Sequence, residues 1–330
     1  MMPAFLSPGS GALECPPAPA SAHAWMPSSP CGPECVETEP EAGRLRFAAR
    51  LAGIGAVAVS FPVAYLATPR RYRAGLQTRY ARALLSCCGI RVRVVDRRAE
   101  DAADSTAVRA NAAAGPQGLL VVAGHIGWTD IIALSAVRPT AFVARADMVD
   151  WPVLGDIARR VRVIPIDRER LRELPGVVNR IAERLASGER IGLFPEGTTW
   201  CGRAHGRLRP ALFQAAIDTG TPVQPIRLRY LDRHGEVCAI PGFVGVDTMA
   251  DSFRRVLRSK GVVAELVLQP LEQPGTDRRD LARRCEQAIR GDAVDRAFAD
   301  IVGRDEPGSD RTELTVQAPE HRHPKLPARV

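Results

Sequence analysis

A chain of 330 residues, 45% of them apolar, is long enough to bury a sizeable core in one or two domains. Its formal charge of +8 directs attention to anionic partners such as a membrane surface or an acidic substrate. Aromatics are only 5%, and no recognition motif accompanies the charge, so a nucleic-acid partner is excluded.

Residues 1–42 are rich in Pro, Ala, Gly and Ser and lack a basic segment followed by an apolar one. They read as a disordered tail rather than a secretory signal. The eight cysteines include no Cys-x-x-Cys pair; Cys31-x-x-x-Cys35 falls in this Pro-rich tail. All eight are expected to be reduced thiols, with Cys201 a bystander and no metal or cofactor in place.

Residues 43–89 form the next unit. Leu51 to Ala67 is the most apolar segment, kinked by Pro62; adding Phe47, Ala48 and Ala49 brings it to about twenty residues with Arg50 inside. Between Gly43 and Val95 there are ten Arg and no Lys, Asp or Glu. A buried core helix fits the apolarity. The acid-free, Arg-rich flanks fit better with a kinked helix or hairpin dipping into one leaflet, its guanidinium groups on anionic head groups. Tyr72–Cys88 has helical spacing, and Gly89 can end it.

Residues 90–300 alternate strand and helix. Strands are expected at Ile90–Val95, Leu119–Ala123, Thr140–Ala144, Val161–Ile166, Ile191–Phe194, Val223–Tyr230 and Val262–Leu268. Helices are expected at Asp130–Ser135, Trp151–Arg160, Glu173–Ala186, Ala211–Thr219 and Asp277–Arg290. This order implies an α/β fold, a central and mostly parallel sheet flanked by helices on both faces. Residues 301–330 are polar and aperiodic and read as a second disordered tail.

The chemistry gathers where strands end. Leu119–Ala123 runs into Gly124-His125-Ile126-Gly127-Trp128-Thr129-Asp130. On one continuous helix His125 and Asp130 would point about 140° apart. They meet only if His125 lies on the turn and Asp130 in the first helical turn, which Gly124 and Gly127 allow. A histidine held by a carboxylate is how a general base is built; taken alone, the pair also fits a loop histidine beside a helix cap.

Two further clusters follow strands. Phe194-Pro195-Glu196-Gly197-Thr198-Thr199 is a turn that sets backbone N–H groups and hydroxyls beside a carboxylate. Arg145-Ala146-Asp147-Met148, Trp151-Pro152-Val153-Leu154-Gly155 and Ile166-Asp167-Arg168 supply cations, of which Arg168 can clamp a phosphate. Arg203, His205, Arg207 and Arg209 crowd the next loop. They suit either a phosphate-rich donor such as a coenzyme A tail or plain solvation.

Four blocks stand in order: His-x4-Asp, Arg-x-Asp-Met with Trp-Pro-x-x-Gly and Ile-Asp-Arg, Phe-Pro-Glu-Gly-Thr-Thr, and Thr221-Pro-Val-x-Pro-Ile226. Together, over roughly residues 45–235, they closely resemble the glycerolipid acyltransferases, whose best-known members are 1-acyl-sn-glycerol-3-phosphate acyltransferases. The resemblance implies a glycerol-3-phosphate acyltransferase-like fold and a fatty acyl group moved from a thioester to a lipid hydroxyl, phosphatidic acid being the product from lysophosphatidic acid. It implies His125 as base and Asp130 as its partner, with Arg168, Glu196, Gly197, Thr198 and Arg145 toward the acceptor. The donor would be acyl-coenzyme A or acyl carrier protein, and the location the cytoplasmic face of an inner membrane. Gly124 stands where the family commonly has Asn, and Arg145-Ala146-Asp147-Met148 where Lys-x-Glu-Leu is usual. These departures leave open a different lysophospholipid, a lyso-ornithine lipid, or a non-catalytic lipid-binding role.

Overall fold

The computed structural model describes residues 27–36, 42–98, 118–146, 162–167 and 170–291. Arg168 and the helix expected over Trp151–Arg160 lie outside the described residues.

Seven described strands make one sheet: β1 (Ile90–Asp96), β2 (Leu119–Ala123), β3 (Ala141–Arg145), β4 (Ile164–Ile166), β5 (Arg190–Leu193), β6 (Val223–Leu231) and β7 (Val262–Leu268). Their order is β1-β7-β6-β2-β5-β3-β4. Only the β6–β7 pair is antiparallel. The five strands from β6 to β4 therefore share one direction, and β1 and β7 run against them. The ends of β2, β5 and β3, adjacent in the sheet, open on one edge.

Side-chain alternation builds two cores. On β2, Val121 and Ala123 face one cluster with Leu228, Tyr230, Leu266 and the helix residues Leu85, Ala133, Val256 and Leu257. Leu120 and Val122 face the other, with Ile191, Val177, Ile181, Phe213, Leu281 and Cys285. The helices on the first face are α1 (Arg44–Ala67), α2 (Arg73–Cys87), α3 (Thr129–Ser135) and α6 (Met249–Arg258); α4 (Leu174–Ala186), α5 (Gln214–Thr219) and α7 (Arg278–Arg290) cover the second. Helix α6 was not expected from its short, charged sequence. Thr248 and Asp251 close a capping box at its start. Strand β4 begins three residues later than expected, because Arg162 adopts a left-handed turn conformation (φ 57°) that extended backbone cannot accommodate.

Helices α1 and α2 form an antiparallel hairpin. Gly53 meets Cys87, Tyr80 donates to Ser60 Oγ at 3.2 Å, and Phe61 packs edge-on against Tyr80. The base of the hairpin is fastened to the body: Arg50 donates to the carbonyls of Leu257 and Ser259 at 2.7 and 2.9 Å, and Arg82 to that of Ala136 at 2.9 Å. Beyond that base, Val59, Val63, Leu66 and Tyr72 are exposed. Helix α1 is long and apolar enough to cross a membrane, and none of its apolar window is buried.

Within the stretch expected to be a disordered tail, residues 27–36 are packed. Pro33–Cys35 forms a short 3-10 turn, and Cys31 and Cys35 are buried against Trp200, Cys201, Ala239 and Val244.

Candidate active site

Strand β2 delivers His125 into the turn before α3, and Asp130 occupies the first turn of that helix. His125 Nδ1 lies 2.8 Å from Asp130 Oδ2. The same oxygen accepts the backbone N–H groups of Ile126 at 2.6 Å and Gly127 at 2.9 Å. The loop thus folds around the carboxylate, and the helix N-terminus favours a negative charge there. Gly127 is required for closeness: a side chain at this position would strike the carbonyl of Pro241.

Oδ1 of Asp130 accepts the Tyr230 hydroxyl at 2.8 Å. Burial, reinforced by the Asp130 charge, holds the Tyr230 phenol well above its ordinary pKa, so it serves as a neutral donor. Thr129 Oγ1, 2.7 Å away, then donates to Tyr230. The result is a directed chain, Thr129 to Tyr230 to Asp130, ending on the imidazole. Asp130 is fully buried, whereas 18% of the His125 side chain is exposed. With Nδ1–H given to Asp130, Nε2 is the acceptor nitrogen, and no described residue hydrogen-bonds to it. The ring lies flat on Phe194, centroids 4.2 Å apart and planes within 14°, and Phe194 stacks in turn on Phe142. This apolar wall fixes the ring plane and keeps water off one face.

The Pro-Glu-Gly turn after β5 packs alongside. Glu196 is 5% exposed, and both of its oxygens are occupied within the protein. Oε2 accepts the backbone N–H of His125 at 2.8 Å, and Oε1 accepts Arg290 Nη2 at 3.0 Å. Burial pushes Glu196 up to about pH 7, against the opposing pull of the Arg290 guanidinium and the His125 N–H. Glu196 was expected to face an acceptor; its carboxylate instead holds the His125 backbone and Arg290. Gly197 has φ 77°, a conformation that favours glycine, and its N–H closes the turn on Phe194 O at 3.1 Å. Thr198 is half-buried beside it, and Thr199 donates to the Phe243 carbonyl at 2.5 Å. Arg145, at the end of β3, is exposed on the same edge of the sheet. His125, Asp130, Glu196 and Gly197 are thus brought together, and Arg145 shares their edge.

Three contributors escaped the sequence reading: Phe194 as a stacking wall, Tyr230 and Arg290. A tyrosine in a buried strand must find a partner for its hydroxyl, so Tyr230 carried a legible signal. Arg290 is the last residue of a charged amphipathic helix and had none. Among the described residues, Cys31, Cys35 and Cys201 form a separate group whose donor atoms are close enough to share a metal.

An imidazole backed by a buried carboxylate, with its second nitrogen open at the strand ends of an α/β sheet, suits an enzyme that takes a proton from a hydroxyl. Residues 97–229 match the family model described as Acyltransferase. The chain is 33% identical over 183 residues to the 1-acyl-sn-glycerol-3-phosphate acyltransferase of Neisseria gonorrhoeae, covering 55% of this chain and 72% of that protein. It is 35% identical over 188 residues to the lyso-ornithine lipid O-acyltransferase of Pseudomonas aeruginosa, covering 56% and 70%. The crystal structure of the 1-acyl-sn-glycerophosphate acyltransferase PlsC from Thermotoga maritima superposes with a TM-score of 0.51 at 15% identity, over 81% of this chain and 97% of that one, a likeness of fold. The protein belongs to the acyltransferase family and is an enzyme of the lysophospholipid acyltransferase type.

Proposed function

We propose that this enzyme transfers a fatty acyl group from an acyl thioester to the free hydroxyl of lysophosphatidic acid, giving phosphatidic acid at a membrane surface. The observation that carries the reading is the His125–Asp130 pair, 2.8 Å apart, with no described residue hydrogen-bonded to Nε2. His125 Nε2 takes the proton of the acceptor hydroxyl as its oxygen attacks the thioester carbonyl. The new C–O bond forms and the C–S bond breaks. The proton on Nε2 passes to the departing thiolate, which leaves as coenzyme A or acyl carrier protein thiol. Asp130 keeps Nδ1 protonated and stabilises the transient imidazolium. No metal or cofactor enters these steps.

Arg145 ends β3, and Arg168 stands in the sequence two residues after its parallel neighbour β4; these are the cations we assign to the acceptor phosphate, with Thr198 and the Gly197 backbone lining the approach. The exposed apolar flank of the α1–α2 hairpin and its Arg-rich connection, Arg70, Arg71 and Arg73, support our assignment of the enzyme to an anionic lipid surface, which we take to be the cytoplasmic face of the inner membrane. A second acceptor, lyso-ornithine lipid, is favoured by the 35% identity to a named enzyme for it. An ornithine head group carries no phosphate monoester, so the two readings part at Arg168.

The test presents purified protein with oleoyl and palmitoyl thioesters of coenzyme A and acyl carrier protein and a panel of lyso-lipids, with products identified by mass. Phosphatidic acid as the main product supports the first reading, and Arg168→Ala then raises KM for lysophosphatidic acid. Acylation of lyso-ornithine lipid alone establishes the second. No acylated product from any acceptor sinks both.

A further inference from the structure

We propose that Cys31, Cys35 and Cys201 are ligands of a bound Zn2+ ion that clips the N-terminal tail to the loop behind the catalytic histidine. All three are buried, and their Sγ atoms lie within 4.8 Å of one another. Sulfurs at about 2.3 Å from a tetrahedral zinc sit about 3.8 Å apart, so closing the set requires only small side-chain adjustments. The local backbone is shaped for this. Cys31 and Cys35 bracket the 3-10 turn Pro33–Cys35, which Cys35 N–H closes on Gly32 O at 3.0 Å. Three residues between two cysteines is a common zinc-ligand spacing.

The third ligand comes from 166 residues further along the chain, where Cys201 N–H donates to Cys31 Sγ at 3.3 Å. Backbone N–H groups aimed at sulfur are what a thiolate site needs around it. Trp200, Ala204, Ala239 and Val244 enclose the group in apolar side chains. Arg203 grips the Cys35 carbonyl at 2.8 Å and keeps the turn in register.

No disulfide joins the described cysteines. A disulfide would use two of the three sulfurs and leave the third stranded, whereas one ion uses all of them. Three thiolates select a thiophilic ion over magnesium or calcium, and leave a fourth position for an exchangeable ligand. On binding, the three thiols release their protons to solvent, so zinc retention falls as the pH is lowered.

The ion would act on the active site through short links. Trp200, next to Cys201, donates its N–H to the His125 carbonyl at 2.8 Å. At the other end of the tail, Pro27 Cγ lies 2.7 Å from where a side chain on Gly197 would begin. The clip therefore holds residues 27–36 over the Pro-Glu-Gly turn.

The experiment uses the full chain, purified through a tag free of histidine and cysteine and without chelators, and measures metal by mass spectrometry. The wild type is expected to carry about one zinc per chain. Cys31→Ser, Cys35→Ser and Cys201→Ser are each expected to lose most of it, whereas Cys87→Ser, outside the group, keeps it. Cobalt reconstitution of the wild type gives the thiolate-to-metal charge-transfer band of tetrahedral sulfur coordination. Removal of the ion opens the peptide bonds around residues 27–36 to limited proteolysis. Wild-type protein that is metal-free and shows no charge-transfer band with cobalt overturns the proposal. So does a Cys31–Cys201 disulfide in peptide mapping, or serine variants that bind zinc as the wild type does.

Discussion

Asp130 and Glu196 both reach His125, the first through its ring and the second through its backbone N–H, yet their surroundings differ completely. Asp130 gathers its hydrogen bonds from two backbone N–H groups, a phenol and the imidazole, with no fixed cation among them. Glu196 is bound to the guanidinium of Arg290. A carboxylate without a permanent cation is free to stabilise one that appears transiently on the ring. A carboxylate already neutralised can only position. Under the proposed mechanism, two acidic groups converging on one residue are divided between chemistry and architecture.

That division can be broken most severely at the ring. His125→Ala is expected to reduce kcat by about 10³-fold or more while circular dichroism and liposome binding stay unchanged; activity within about tenfold of wild type removes the base assignment. Next comes Asp130→Asn, which keeps the shape but presents an amide to the ring. A fall of about 10²- to 10⁴-fold in kcat with KM little altered is expected from steady-state kinetics. A raised KM with kcat unchanged would instead make Asp130 a binding residue.

On the architectural side the loss appears as stability. Arg290→Met leaves Glu196 buried without its cation and is expected to cost about 3 kcal/mol or more in urea unfolding at pH 8. The penalty should shrink at pH 5, where Glu196 can protonate, and in the double variant with Glu196→Gln. A penalty equal at both pH values would show that the ion pair is not what Arg290 contributes.

The same carboxylate can be read through the pH dependence of Glu196→Gln. Glu196 is raised from 4.5 to about 7 in the folded state, so folding takes up a proton between these values. Its contribution to stability is present below pH 4.5 and lost as the pH rises through 7. The wild type should lose stability relative to Glu196→Gln across that window, as read from paired unfolding curves. A difference that stays flat from pH 4.5 to 8 removes the role given to burial.

Periodicity made most of the strands legible, and β7 was read residue for residue, because a buried strand between charged turns has few alternative readings. The His125–Asp130 contact was legible because their spacing admits only one geometry, a turn followed by a helix start. Glu196 was found as a site residue but its role was not, since a motif shows which residue is present and not which way its carboxylate turns. Its partner Arg290 lies 94 positions away on another element. The direction of β1 and β7 was equally hidden, since pairing depends on contacts remote in the chain. The docked tail was missed for a related reason. A Pro-rich segment with few apolar residues has little to bury by itself, and its anchoring cysteines meet their partner only after folding.

Helix α3 joins two ends of the molecule that are otherwise described apart. Its N-terminus carries Asp130, and the carbonyl of Ala136 just past its C-terminus receives Arg82 from the hairpin. Seven helical residues make a strut about 10 Å long. On the membrane placement proposed above, the depth of the hairpin would set the height of the imidazole over the lipid, as a fixed arm sets the height of a tool above its bench. Selection among lipid hydroxyls is then partly a matter of altitude, independent of which head group is recognised.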